Sequence, residues 1–99
     1  MDMNPRERNL EHYLRKQAAT KGWRVLKFGF DGWPDDLVVA KRGVQGWIET
    51  KRRGEYPEML QAMRLEELQD RGCVAVWADS RKSVDAFLGR LQALVEAVK

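Results

Sequence analysis

The sequence predicts an α/β fold, a mixed four-stranded sheet flanked by helices, and three observations point to it. Apolar residues recur at helical spacing near the start, in the middle and at the end of the chain. Three short strand-like runs joined by turn residues lie between the first two of these segments, and a fourth run lies between the last two. The order is therefore α-β-β-β-α-β-α. Tight turns make antiparallel neighbours and a helical crossover makes a parallel one, so the sheet is mixed.

The first helix opens at Asn4-Pro5-Arg6-Glu7, where Asn4 suits the N-cap, Pro5 the first helical position and Glu7 a capping box. Leu10, Leu14 and Ala18 carry its apolar stripe to Lys21-Gly22, a helix stop. At 100° per residue Glu7 and Glu11 project on the same face as that stripe. The cap accounts for Glu7; Glu11 has no local structural role. Residues 23–28 (WRVLKF) are the first expected strand, and the turn-rich GFDGWPD follows. Residues 37–40 (LVVA) form a continuous apolar run, expected to be buried on both faces. In the third strand, residues 46–51 (GWIETK), the period of two places Trp47, Glu49 and Lys51 on one face and Ile48 and Thr50 on the other.

Pro57-Glu58 starts a second helix ending near Arg71-Gly72, with Leu60, Leu65 and Leu68 as its buried stripe. Gln61 falls between Leu65 and Leu68, and a buried amide there needs a partner, because leaving it unpaired costs about 1–3 kcal/mol. A contact to a functional site is one reading and an ordinary core amide the other. Residues 73–78 (CVAVWA) are the fourth strand, with Cys73 a small apolar residue. Ser83 caps a last helix in which Val84, Phe87, Leu88, Leu91, Leu94, Val95 and Val98 share a face.

Ninety-nine residues make a single domain spanning 1–99. With 43% hydrophobic and 33% charged residues, the composition excludes a disordered tail, and no apolar run reaches the length of a membrane span. A single cysteine excludes an internal disulfide and a cysteine-based zinc site, so a cytoplasmic location is expected. Residues 1–54 carry 12 Lys+Arg against 7 Asp+Glu, and residues 55–99 carry 6 against 8. A basic half that also holds acids suits a polyanionic partner and a bound metal, although an ordinary solvated surface accounts for it as well.

Pro34-Asp35, then thirteen residues, then Glu49-Thr50-Lys51 is the most informative pattern. A short turn between antiparallel strands brings Asp35 to the sheet end where Glu49 and Lys51 lie. Paired carboxylates suit a hard cation such as Mg²⁺, which polarises a phosphoryl group and activates water. Lys51 can hold the attacking water or offset charge developing on phosphorus. On spacing alone, a turn plus a surface ion pair accounts for the pattern equally well. Lys27 on strand one is placed either to meet a phosphate or to stand in solvent. Lys41, Arg42, Arg52 and Arg53 lie at turns near the expected cleft and suit nonspecific phosphate contacts. Trp33 is a candidate base-stacking wedge or a packed loop residue, and Met59 and Met63 share a helix edge suited to a dimer contact. His12 receives no role.

The sequence resembles a stand-alone VRR-NUC domain of the phage or prophage type, within the PD-(D/E)xK, restriction-endonuclease-like nuclease superfamily. The resemblance runs nearly the whole length. It is carried by Arg6-Glu7, Leu10-Glu11-His12-Tyr13-Leu14, Gly22, Lys27-Phe28, Gly32-Trp33-Pro34-Asp35, Trp47-Ile48-Glu49-Thr50-Lys51, Gln61, and Leu68 with Gly72. It implies a restriction-endonuclease-like αβββαβ core with an extra C-terminal helix. It further implies a Mg²⁺- or Mn²⁺-dependent DNA endonuclease acting as a homodimer on duplex or branched, Holliday-junction-like DNA. Asp35, Glu49, Glu11 and the Thr50 carbonyl would be metal ligands, Lys51 the catalytic lysine, Glu11 the helix-one acid, and Gln61 and Glu7 supporting residues around them. Asp36 departs from the pattern, since many relatives carry arginine there; it adds charge beside the site and removes a phosphate contact. The alternative is a noncatalytic or partner-dependent nucleic-acid-binding module with the nuclease fold.

Overall fold

Strand register decides which side chains share an end of this molecule. The computed structural model describes residues 5–98, with side chains from Asn9 onward, so the expected Asn4 cap and the side chain of Glu7 lie outside the described residues. The elements are α1 (Pro5–Thr20), β1 (Arg24–Lys27), β2 (Asp36–Val39), β3 (Gln45–Thr50), α2 (Met59–Asp70), β4 (Val74–Ala78) and α3 (Arg81–Ala97). The sheet runs β1-β2-β3-β4, antiparallel at the first two pairings and parallel at β3–β4. This is the mixed α/β sheet with flanking helices and a C-terminal helix that the element order predicts.

The period of two divides the core between the two faces of the sheet. Val38, Ile48, Val74 and Ala78 point toward α1 and α3, where they meet Leu10, Leu14, Ala18, Val84, Phe87 and Leu91. The other face is thinner: Leu65 and Leu68 of α2 cover Ala75, with Trp33, Trp47 and Trp77 packed around them. Gly46 lies under α3 so closely that an added Cβ would sit 2.9 Å from both Leu91 Cδ2 and Phe87 Cε1. The glycine lets α3 rest directly on β3.

Register then sorts the polar residues. Lys27 pairs with Asp36, Asp36 with Ile48 and Ile48 with Val76, so residues 27, 35–36, 48–51 and 76–78 share one end of the sheet. Arg24, Val39, Gln45 and the start of β4 occupy the opposite end. The Lys51 amide donates to the Ala78 carbonyl at 2.8 Å, extending the parallel pairing one residue past β3.

Four sequence expectations are corrected here. The cap of α3 is Ser80, whose hydroxyl accepts from the Ser83 amide at 3.1 Å, and Ser83 closes the capping box instead of opening the helix. Leu60 is 42% exposed rather than part of the α2 stripe, because it lies in the first turn and lies over the Gly32 backbone. β2 is fully buried on the α1/α3 side only, since the single helix on the other face leaves Leu37 and Val39 half-covered. Cys73 is exposed, standing in the turn before β4 instead of inside it.

Candidate active site

Asp35 immediately precedes β2, and Glu49 lies beside it on β3. The Asp35 amide donates to Glu49 Oε1 at 3.0 Å. On the other side Gln61 of α2 reaches Glu49 Oε2 at 3.4 Å, while the Gln61 carbonyl oxygen accepts from the Glu58 amide at 3.0 Å. Gln61 thus closes the α2 capping box with one end of its amide and steadies an acid with the other. Lys51 Nζ stands 3.8 Å from Glu49 Oε2, with its side chain mostly covered. The Glu49 carboxyl is pushed up to about 7, first by burial and then by the charge and hydrogen bonding of Asp35. Two carboxyls this close favour a cation between them or a proton on one. Thr50 is buried with its side chain on the α1/α3 face, so its main chain alone is available to this site.

A second polar group occupies the α1 side of the same sheet end. Lys27 Nζ is 2.9 Å from both oxygens of Glu11. Asp36 is fully buried; its Oδ1 accepts from Arg15 at 3.2 Å, while no donor among the described residues reaches its Oδ2. Burial, then the neighbouring Glu11, pushes the Asp36 carboxyl up to about 8. For Glu11 burial opposes ionisation, but its bonds to Asp36 and Lys27 hold it below the ordinary carboxylate range. Of this close pair, burial pushes Asp36 up while its bonds hold Glu11 down. The Glu11 contact raises the Lys27 ammonium above its usual range despite partial burial, and Asp36 and Asp35 add to the effect.

The expected set divides accordingly. Asp35, Glu49, Lys51 and Gln61 come together, whereas Glu11 stands across the edge of the sheet with Lys27, and Glu7 is outside the described side chains. Asp36 does not project toward a substrate phosphate; the pleat turns it inward onto Arg15. Arg42 is moved furthest from its expected place. It sits at the opposite end of the sheet in a left-handed turn conformation (φ 58°) and donates to the Val95 and Val98 carbonyls, ending α3. Lys41 shares that remote turn. Arg52 and Arg53 do follow β3 at the site end; Arg52 pairs with Glu55 at 2.6 Å and Arg53 is exposed. Trp33 is packed under the Arg64 guanidinium, 4.9 Å from its ring centre, and is no free wedge. Arg15 is the residue the sequence reading passed over. Its position four residues after Glu11, on the same helix face, is the signal that pointed to it.

Two neighbouring acids fit a hard divalent ion that keeps most of its waters. Among the described residues no third Asp, Glu, His or Cys joins them to complete a metal-holding group. Asp35 and Glu49, with the main chain of Thr50, are the residues that would hold such an ion.

No protein-family model and no curated protein matches the chain. A solved structure described as a VRR_NUC domain does match, with a TM-score of 0.80 and 27% identity, over 87% of this chain and 97% of that one.

Proposed function

We propose that this chain, which belongs to the VRR-NUC family, is a Mg²⁺- or Mn²⁺-dependent DNA endonuclease whose active site is built on Asp35, Glu49 and Lys51. The fold is of the nuclease type. The observation that carries the proposal is the Asp35–Glu49 pair at one sheet end, tied by a 3.0 Å bond, with Lys51 3.8 Å from the same acid.

Asp35 and Glu49 hold the ion, with the Thr50 carbonyl as a further oxygen ligand. When bound, such an ion supplies phosphoryl polarisation and water activation. Gln61 fixes the Glu49 carboxylate so that its oxygens stay aimed at the site. Lys51 orients the attacking water or balances the charge that builds on phosphorus as the ester oxygen departs. Hydrolysis is direct, with no protein-bound intermediate. Arg53 and Arg52, after β3, follow the phosphate backbone in this reading.

Branched DNA as the preferred substrate and a homodimer as the working form belong to the same proposal. Supporting the second, Met59 and Met63 are 81% and 56% exposed along α2. No helix among the described residues is long and apolar enough to cross a membrane.

The test is cleavage of a supercoiled plasmid and a synthetic four-way junction, with Mg²⁺, Mn²⁺ or EDTA, by wild type and Asp35→Ala. Metal-dependent cutting by wild type, lost in Asp35→Ala, is the expected result. If both proteins bind DNA and neither cuts, the catalytic reading gives way to the binding-module alternative.

A further inference from the structure

Among the described residues no third acid joins Asp35 and Glu49, and Glu11, at the Lys27 end of the sheet, is held by that lysine. Glu11 has 15% of its side chain exposed, and both its oxygens are 2.9 Å from Lys27 Nζ. The lysine side chain is 50% exposed, so it can leave that contact for solvent or for a phosphate without breaking the core. Among the described side chains, the other charged groups acting on the pair include Arg15, Asp36 and Asp35. Arg15 is spent on Asp36, Asp36 is buried behind Glu11, and Asp35 lies within electrostatic reach of Lys27. β1 is an edge strand paired only with β2, which leaves the Lys27 end of it open. The Lys27 ammonium is thus bonded to Glu11 and also feels the charge of Asp35.

We propose that Lys27 is a latch on Glu11, withholding that carboxylate from the divalent-ion site and thereby weakening ion binding until the latch is released. The inference rests on the active-site reading above. A negative phosphate arriving at the site competes for Lys27; as the ammonium turns to the phosphate, Glu11 becomes available to the ion. Substrate and ion then bind cooperatively. Lys27 is a positioning residue in this account, acting through Glu11.

The test is calorimetric titration of the metal-free protein with Mn²⁺, without DNA, so the readout is independent of turnover. Wild type, Lys27→Gln, Lys27→Met, Glu11→Gln, the Glu11→Gln/Lys27→Gln double variant and Asp35→Asn are compared, with folding checked by circular dichroism. Removing the latch is expected to lower the Mn²⁺ dissociation constant about 3- to 5-fold, the range a half-exposed ion pair can contribute. In the Glu11→Gln background, loss of Lys27 should change little. Unchanged or weaker Mn²⁺ binding in both Lys27 variants overturns the latch. So does an equal gain in the Glu11→Gln background, which would reduce Lys27 to general charge repulsion. Failure of the underlying reading is separate and visible: there, wild type takes up no Mn²⁺, or Asp35→Asn binds it as well as wild type.

Discussion

Asp36 and Glu49 sit on opposite faces of one sheet, and each keeps a carboxyl out of water for a different purpose. Glu49 has three partners, Asp35, Gln61 and Lys51, and belongs to a site. Asp36 has Arg15 on one oxygen, no hydrogen-bond donor among the described residues on the other, and the Glu11 carboxyl as a neighbour. Because burial raises Asp36 from its ordinary 3.8 to about 8, the folded state binds a proton that the unfolded chain has released over that window. Stability from this group is therefore complete below about pH 4 and is lost as pH rises toward 8. Asp36→Asn keeps an acceptor for Arg15 and removes the titration. Its melting temperature in EDTA should exceed that of wild type by an amount that grows from pH 5 to 8.5, where each kcal/mol is worth about 4–8 °C. A variant that melts below wild type at pH 8.5 would show that the ionised form is the one the fold needs. The sequence placed Asp35 and Asp36 together and offered no way to tell which faced the site. The pleat decides that, and a one-residue change of register would exchange their roles.

At the scale of elements, much was legible because local signals were strong. The helical stripes, the turn glycines and the alternation of β3 gave the order and the sheet type. Capping was harder to locate: Ser80 and Ser83 are three apart, and either fits an N-cap until the phase of α3 is fixed. Arg42 misled for a related reason. A basic turn looks the same in sequence whether it meets a phosphate or the carbonyls at the end of α3 fifty-odd residues away. Gln61, by contrast, was marked by its own chemistry, since an amide on an apolar stripe must be answered. The contact of α3 with β3 yields the prediction at this scale. Gly46→Ala forces a methyl to within 2.9 Å of Leu91 and Phe87, and overpacking of this kind costs about 1–3 kcal/mol. Urea denaturation should show the loss with an unchanged slope; a variant as stable as wild type would mean that α3 rides over β3 without cost.

For the molecule as a whole, the sheet works as a divider with a shared end. One face supplies most of the core and carries the Glu11–Lys27–Asp36–Arg15 group. The thinner face, under α2, presents Asp35, Glu49, Gln61 and Lys51. An ion and a phosphate arriving at that end would meet both groups, as the proposed coupling between the ion site and Lys27 requires. The pairing of Glu11 with Lys27 did not follow from sequence spacing, because it is a contact between α1 and β1 that no periodicity encodes. The most direct test of the account is a crystal structure of the protein with Mn²⁺, read by anomalous scattering. A peak bonded to the carboxylates of Asp35 and Glu49 at about 2.0–2.2 Å, the range of a small hard divalent ion, is the expected result. A peak elsewhere, or none at a saturating concentration of Mn²⁺, would contradict it.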